Sequence, residues 1–262
     1  MSNPDDLGIR GKIAVALSLT ALGGYVDAVG YIALFQVFTA NMSGNSIHVG
    51  MYLSQRNWLE LLRPFTAIVF YVMGMALTRI AVEIAGRAGR RHIASFTLAA
   101  EALLLALFAH ATPKMHLGQI VDQQAPAYFT LVALLAFAMG VQTATLTHIG
   151  ALTVYTTFVT GTLTKMTESF TRALFWAYDH VRDLGTSQIV RQAFAQKDVQ
   201  EASMLSATWT CYVLGAALGA ILKARWELRA LYLPVFLLVV FVLLDLFRPI
   251  DVDEEKHQTG KA

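Results

Sequence analysis

Six stretches of this chain, 13–35, 64–86, 93–111, 128–152, 207–224 and 229–248, are apolar for about as long as a helix needs to cross a lipid bilayer. A hydrocarbon core about 30 Å thick takes roughly 20 helical residues. Inside it a backbone must satisfy its own hydrogen bonds, which leaves helices or closed barrels. Runs of this length are far too long for barrel strands, so the chain is expected to be an all-α membrane protein with the bilayer as its solvent. Composition agrees: of 262 residues 56% are hydrophobic and 15% charged, with mean hydropathy +0.52, where a soluble domain would be about a quarter charged. A formal charge of +2 is too small to suggest a nucleic-acid partner. The single cysteine, Cys211, excludes an intramolecular disulfide and reads as an inert thiol in an apolar run. No small-residue cleavage site follows the first run, so that run reads as a retained helix rather than a signal peptide.

Two further segments, 38–54 and 154–175, are apolar but interrupted by Asn, Ser, Thr, Gly and Lys. They suit broken segments that dip into the membrane. The stretch 176–204 mixes both charges and reads as an insertion outside the bilayer, in amphipathic helix or loop; 251–262 reads as a disordered tail. The expected organisation is therefore a cytoplasmic N-terminus (1–12), a first half (13–127), a second half (128–250) and the tail. With six spans, Arg10, Lys12, Arg79, Arg87, Arg90, Arg91, Lys165, Arg172, Arg182, Arg191, Lys197, Arg248, Lys256 and Lys261 share one side. The positive-inside rule places that side, and both termini, in the cytoplasm. Counting the interrupted segments as full spans gives eight and reverses the balance.

The interrupted segments echo each other. Phe38-Thr39-Ala40-Asn41-Met42-Ser43-Gly44 returns 117 residues later as Tyr155-Thr156-Thr157-Phe158-Val159-Thr160-Gly161, and Gly23–Gly44 aligns with Gly140–Gly161 without a gap. Tyr71-Val72-Met73-Gly74-Met75-Ala76-Leu77 resembles Tyr212-Val213-Leu214-Gly215-Ala216-Ala217-Leu218 at an offset of 141. The shared order implies duplication. Three spans per half would invert the second copy, the plan of many secondary transporters; four would leave the copies parallel.

Gly24-Tyr25-Val26-Asp27-Ala28-Val29-Gly30-Tyr31, followed by Phe38-Thr39-Ala40-Asn41-Met42-Ser43-Gly44-Asn45, resembles a signature of the YoaK-like bacterial membrane proteins, a family named for its unknown function. Gly140-Val141-Gln142-Thr143-Ala144 and Thr156-Thr157 through Thr160-Gly161-Thr162 resemble its second signature. Ser43 stands where threonine is usual and keeps the hydroxyl, whereas Thr143 stands where asparagine is usual and loses the amide. The resemblance implies an inner-membrane protein of about six spans and supplies no activity.

Function has to come from the polar residues. Asp27 lies about 14 residues into the first run, where an unpaired charge costs roughly 2.5–3.5 kcal/mol on insertion scales. Gly24, Asp27 and Tyr31 share one helix face, so a neighbouring helix can approach Gly24 while Tyr25 and Tyr31 hold the carboxylate or a ligand. The bland alternative is a structural acid that caps another helix or meets Gln142. Asn41, Ser43 and Asn45 offer donors and acceptors beside Gly44, whose conformational freedom could release nearby backbone groups; they could equally be helix caps. Thr39, Thr156, Thr157, Thr160 and Gly161 complete the paired breaks. Gln142 and His148 occupy the repeat positions of Tyr25 and Tyr31, and His148 could carry a proton. Glu101 interrupts the third run and could carry a proton, pair with a base or lie between copies in a homo-oligomer. Glu83 and Asp245 lie near span ends, where snorkelling or adjacent arginines would serve them. Gly74/Thr78 and Gly215/Gly219 are small-residue pairs suited to helix packing.

His92, His110, His116 and His148 lack metal-ligand spacing, and no nucleophile elbow, Walker motif or dinucleotide glycine pattern is present. The expectation is a non-enzyme without a cofactor: a secondary transporter or channel for a small polar solute, with H⁺ or Na⁺ coupled through Asp27. The rival is a sensor or scaffold docking a partner through 176–204.

Overall fold

The computed structural model describes residues 8–90, 92–111, 125–145, 148–149, 152–153, 159–180, 192, 195–248 and 250. Its helices are α1 (Ile9–Ala33), α2 (Met42–Ser54), α3 (Trp58–Arg87), α4 (Ile93–Ala111), α5 (Pro126–Thr145), α6 (Val159–His180), α7 (Lys197–Trp226) and α8 (Tyr232–Phe247). A 3-10 turn, Glu227–Leu231, joins the last two. Among the described residues the only β pairing is a two-residue antiparallel bridge, His148–Ile149 with Leu152–Thr153. The architecture is an all-helical membrane protein, as expected.

Five described stretches are long and apolar enough to cross a membrane: Arg10–Ala33, Trp58–Arg87, Ile93–Ala111, Pro126–Thr145 and Lys197–Phe247. The last holds 51 residues, enough for two passes. It breaks at Glu227, whose φ of 51° ends α7 and starts the turn into α8. At 13 residues, α2 is about 20 Å long, too short to span. The 22 residues of α6 would reach, but one face carries Thr160, Thr164, Thr167, Glu168, Thr171 and Arg172. The fourth apolar run was expected to continue to 152; among the described residues its helix runs to Thr145, and His148–Ile149 is already extended.

Packing pairs α1 with α7 and α3 with α5, while α4 lies against α5 and α8. The short helix α2 rests on α3, and α6 rests on α7. In lipid, helix association depends on close packing of small residues, and the two main seams are built that way. A Cβ on Gly24 would strike the Tyr212 carbonyl, and one on Gly215 the Ala21 carbonyl. In the other seam, Gly140 meets the Tyr71 carbonyl and Gly74 the Phe137 carbonyl. Along α3, Pro64, Ala67, Tyr71, Gly74, Thr78 and Val82 face inward, while Phe65, Val72, Leu77, Ile80 and Ile84 are exposed as a lipid-facing stripe.

The insertion expected over 176–204 is helical at both ends, since α6 runs to His180 and α7 starts at Lys197. A charged joint ties these ends: Arg172 donates to Asp198 (2.8 Å) and Ser169 to Glu201 (2.9 Å). The hydrogen bond to Asp198 holds the Arg172 guanidinium above its ordinary pKa. Glu83 meets Arg87 at 2.9 Å, as the sequence suggested. Asp245 does not snorkel. It is fully buried and accepts from Ser95 N (2.9 Å), Ser95 Oγ (2.5 Å) and Ile250 N (2.6 Å), because the first turn of α4 presents N–H groups that need an acceptor.

Candidate functional site

The first break starts where α1 ends. Leu34 N still reaches Gly30 O at 2.8 Å, after which Phe35 (φ 50°) and Gln36 (φ 69°) take left-handed conformations that cost non-glycine residues energy. This turn reverses the chain and lays Thr39 and Ala40 back against α1. Asp27, 5% exposed, receives them. Its Oδ1 accepts Thr39 N (3.0 Å), Thr39 Oγ1 (3.1 Å) and Ala40 N (2.9 Å), while Oδ2 accepts the Tyr212 hydroxyl of α7 (2.8 Å). One carboxylate thus joins α1, the break and the helix packed across the seam. Gly24 performs the role its position suggested, since its missing side chain admits the Tyr212 backbone.

The two asparagines account for most of the remaining polar groups in the break. Asn41 caps α2, accepting Gly44 N (3.3 Å) and the Ser43 hydroxyl (2.7 Å). Asn45, fully buried, clamps Phe38 from both sides: Phe38 N donates to its Oδ1 (3.1 Å) and its Nδ2 donates to Phe38 O (2.7 Å). The break therefore presents few free backbone groups. Gly44 lies within α2 and has no positive φ; a Cβ there would meet the Phe38 ring at 2.8 Å. It supplies space rather than an unusual conformation. Tyr31 packs on Phe38 with ring centroids 4.5 Å apart and the planes tilted by 31°, and His48 lies beyond at 6.3 Å from Phe38.

The other residues singled out from the sequence disperse. Tyr25 turns from Asp27 and donates to Ala230 O in the 3-10 turn (2.8 Å). Gln142, 1% exposed, donates to Leu19 O (2.7 Å), and its Oε1 has no hydrogen-bond partner among the described residues. Thr160 lies in the first turn of α6, exposed, in an open groove of about 630 Å³ with Thr164, Thr167, Glu168, Thr171 and Arg172. Thr164, Thr167 and Thr171 donate to carbonyls four residues back, so they face the groove as acceptors. Gly161 is half-buried beside Thr160. His148 lies in the short bridge. Thr156, Thr157, the 181–191 stretch and the tail 251–262 fall outside the described residues. Glu101 is fully buried on α4.

Sequence reasoning missed two tyrosines. Tyr212 is the partner of Asp27, and Tyr71 on α3 donates to Thr143 Oγ1 on α5 (3.0 Å). Both stand first in the matched heptapeptides 71–77 and 212–218, which was the available signal.

The chain is similar to the UPF0700 transmembrane protein YoaK of Bacillus subtilis (strain 168). The two are 29% identical over 167 residues, covering 64% of this chain and 70% of that protein. No solved structure matches. A family model described as "Protein of unknown function (DUF1275)" matches residues 15–244, so the chain belongs to that family of membrane proteins, the kind its first signature suggested.

Proposed function

We propose that this protein is a secondary transporter or channel for a small polar solute rather than an enzyme, seated in the bacterial inner membrane with both termini in the cytoplasm. The observation that carries the reading is a pair of matched joints. Tyr212 reaches Asp27 beneath Gly24, and Tyr71 reaches Thr143 beneath Gly140. Thr143 follows Asp27 by 116 residues, as Gly140 follows Gly24, while Tyr212 follows Tyr71 by 141. These joints support two like halves that exchange partners, α1 with α7 and α3 with α5. The register of 116 is one short of the ungapped 117, so the second half holds one extra residue between its helix and its break. Asp27 then corresponds to Thr143, and Tyr25 to Val141 instead of Gln142.

Inverted halves, each with a polar break in its sequence after its first span, suit alternating access. Asp27 acts as the latch. With its charge, it holds Thr39, Ala40 and Tyr212 together; neutralised by H⁺ or Na⁺, it holds them less firmly, and the break can shift against α7. The solute is taken at the breaks, by Asn41, Ser43, Thr157 and Thr160. Because the matched joint in the second half is neutral, coupling is confined to the first.

Orientation gives the first test. With Cys211 replaced, Ser43→Cys and Thr160→Cys variants are treated with a membrane-impermeant thiol reagent in sealed right-side-out and inside-out vesicles. Inverted halves put the two cysteines on opposite sides. Labelling of both from the same side means parallel halves and rejects this transport geometry. The scaffold reading is favoured only by the charged joint at Arg172 and predicts partner capture that is lost when the link between His180 and Lys197 is shortened.

A further inference from the structure

Glu101 lies near the middle of α4, with 0% exposure and no hydrogen-bond partner for either carboxyl oxygen among the described residues. Its neighbours on the buried stripe of the helix are Leu98, Ala102 and Leu105. The two helices packed most closely on α4 bring no base. Neither α5 nor α8 contains Lys, Arg or His; their titratable groups are Tyr128 on α5 and Tyr232 and Asp245 on α8. Tyr128 donates its hydroxyl to Leu34 O (2.8 Å), and Asp245 is taken up by Ser95 and Ile250. The 3-10 turn contributes Glu227 and Arg229, both exposed. The lighter contact with α3 brings Glu60 and Arg63, which pair with each other, Tyr71, which is bonded to Thr143, Arg79, and the pair Glu83–Arg87. His92 and His110, at the ends of α4, are exposed.

A bare carboxylate in such surroundings has neither donor nor counter-ion, whereas the neutral acid asks far less of its environment. Asp27 and Asp245 show how this fold treats its other buried carboxyl groups, by supplying several donors. Glu101 receives none. We propose that Glu101 is a proton-binding site, carried as the neutral acid when α4 is packed on α5 and α8. The proton is released when a rearrangement of α4 lets water reach the carboxyl, so binding is linked to helix packing. The inference rests on the burial of Glu101 and not on the transport reading; if transport holds, Glu101 is a second proton site, separate from the latch at Asp27.

Infrared spectroscopy of the purified protein in lipid vesicles at neutral pH, with neither solute nor gradient present, tests it. The expected result is a protonated-carboxyl C=O band that is lost in Glu101→Gln, a substitution isosteric with the neutral acid. A second measurement needs no variant: a hydrophobic carbodiimide adds to a protonated carboxyl using the acid's own proton and rearranges to a stable acylurea, which peptide mass mapping should place on Glu101 and not on Asp27. Absence of the band in the folded wild-type protein overturns the proposal, as does a band that survives Glu101→Gln. Flux plays no part in either readout, so a failed transport assay leaves this result standing and the reverse also holds.

Discussion

Replacing Asp27 with asparagine should loosen the first break without dismantling the helices around it. The carboxylate accepts from Thr39 N, Thr39 Oγ1, Ala40 N and the Tyr212 hydroxyl. An asparagine can keep its carbonyl toward the break, but that oxygen is neutral and has two lone pairs for three donors. Its amide would face the Tyr212 hydroxyl, which can turn and accept. Hydrogen bonds to a charged group contribute about 1.5–3 kcal/mol each and neutral ones about 0.5–1.5. Three bonds, each weakened by about 1–1.5 kcal/mol, therefore lower the stability of the closed break by roughly 3–4.5 kcal/mol. At about 1.4 kcal/mol per tenfold, amide exchange at Thr39 and Ala40 should accelerate about 100- to 1,500-fold. Amides in the α3–α5 seam should be unchanged. Hydrogen-exchange mass spectrometry on the detergent-solubilised protein reads both regions at once. Unchanged exchange at 39–40, or acceleration spread evenly over the protein, refutes the latch.

Asn45→Ala removes both bonds to Phe38 and should lower thermal stability by about 2–4 kcal/mol, since a buried polar group left unpaired costs about 1–3 kcal/mol; Asn45→Asp should recover only the bond from Phe38 N. Gly24→Ala and Gly140→Ala each force a methyl onto a neighbouring carbonyl and should each cost about 1–3 kcal/mol, measured by thermal unfolding in detergent. Near-equal losses at the two glycines fit matched seams, whereas no loss at either would remove them as contact points. Tyr212→Phe should destabilise by about 1.5–3 kcal/mol because its partner is charged, and Tyr71→Phe by about 0.5–1.5 kcal/mol because its partner is a hydroxyl; the reverse order in unfolding midpoints would contradict the assignment of charge to Asp27.

Much of the fold was legible in the residues. The apolar runs foretold helices α1, α3, α4, α5, α7 and α8, since bilayer thickness fixes how long such a run must be. The ends were less legible: 197–206 is polar yet continues α7, held by the joint of Arg172 with Asp198. At the site, Asp27 and the small residue at Gly24 were identified, but the partner was not. A tyrosine 185 residues away becomes a neighbour through helix packing, and local periodicity carries no record of that. Gly44 was read for its freedom and serves for its size, because the strained turn falls at Phe35 and Gln36, residues with no turn signature. Asn45 looked like a ligand for a solute and instead closes on Phe38, three residues before the Asn41 cap.

Gradient-driven uptake in liposomes tests the central claim most directly. Purified protein is reconstituted, a pH or Na⁺ gradient is imposed, and accumulation of a panel of small polar solutes is followed for the wild-type protein and Asp27→Asn. The account predicts that at least one solute accumulates only with the gradient present, and that Asp27→Asn abolishes this accumulation while the protein remains folded. Absence of flux for every solute in the panel, or accumulation that Asp27→Asn leaves unchanged, would contradict it.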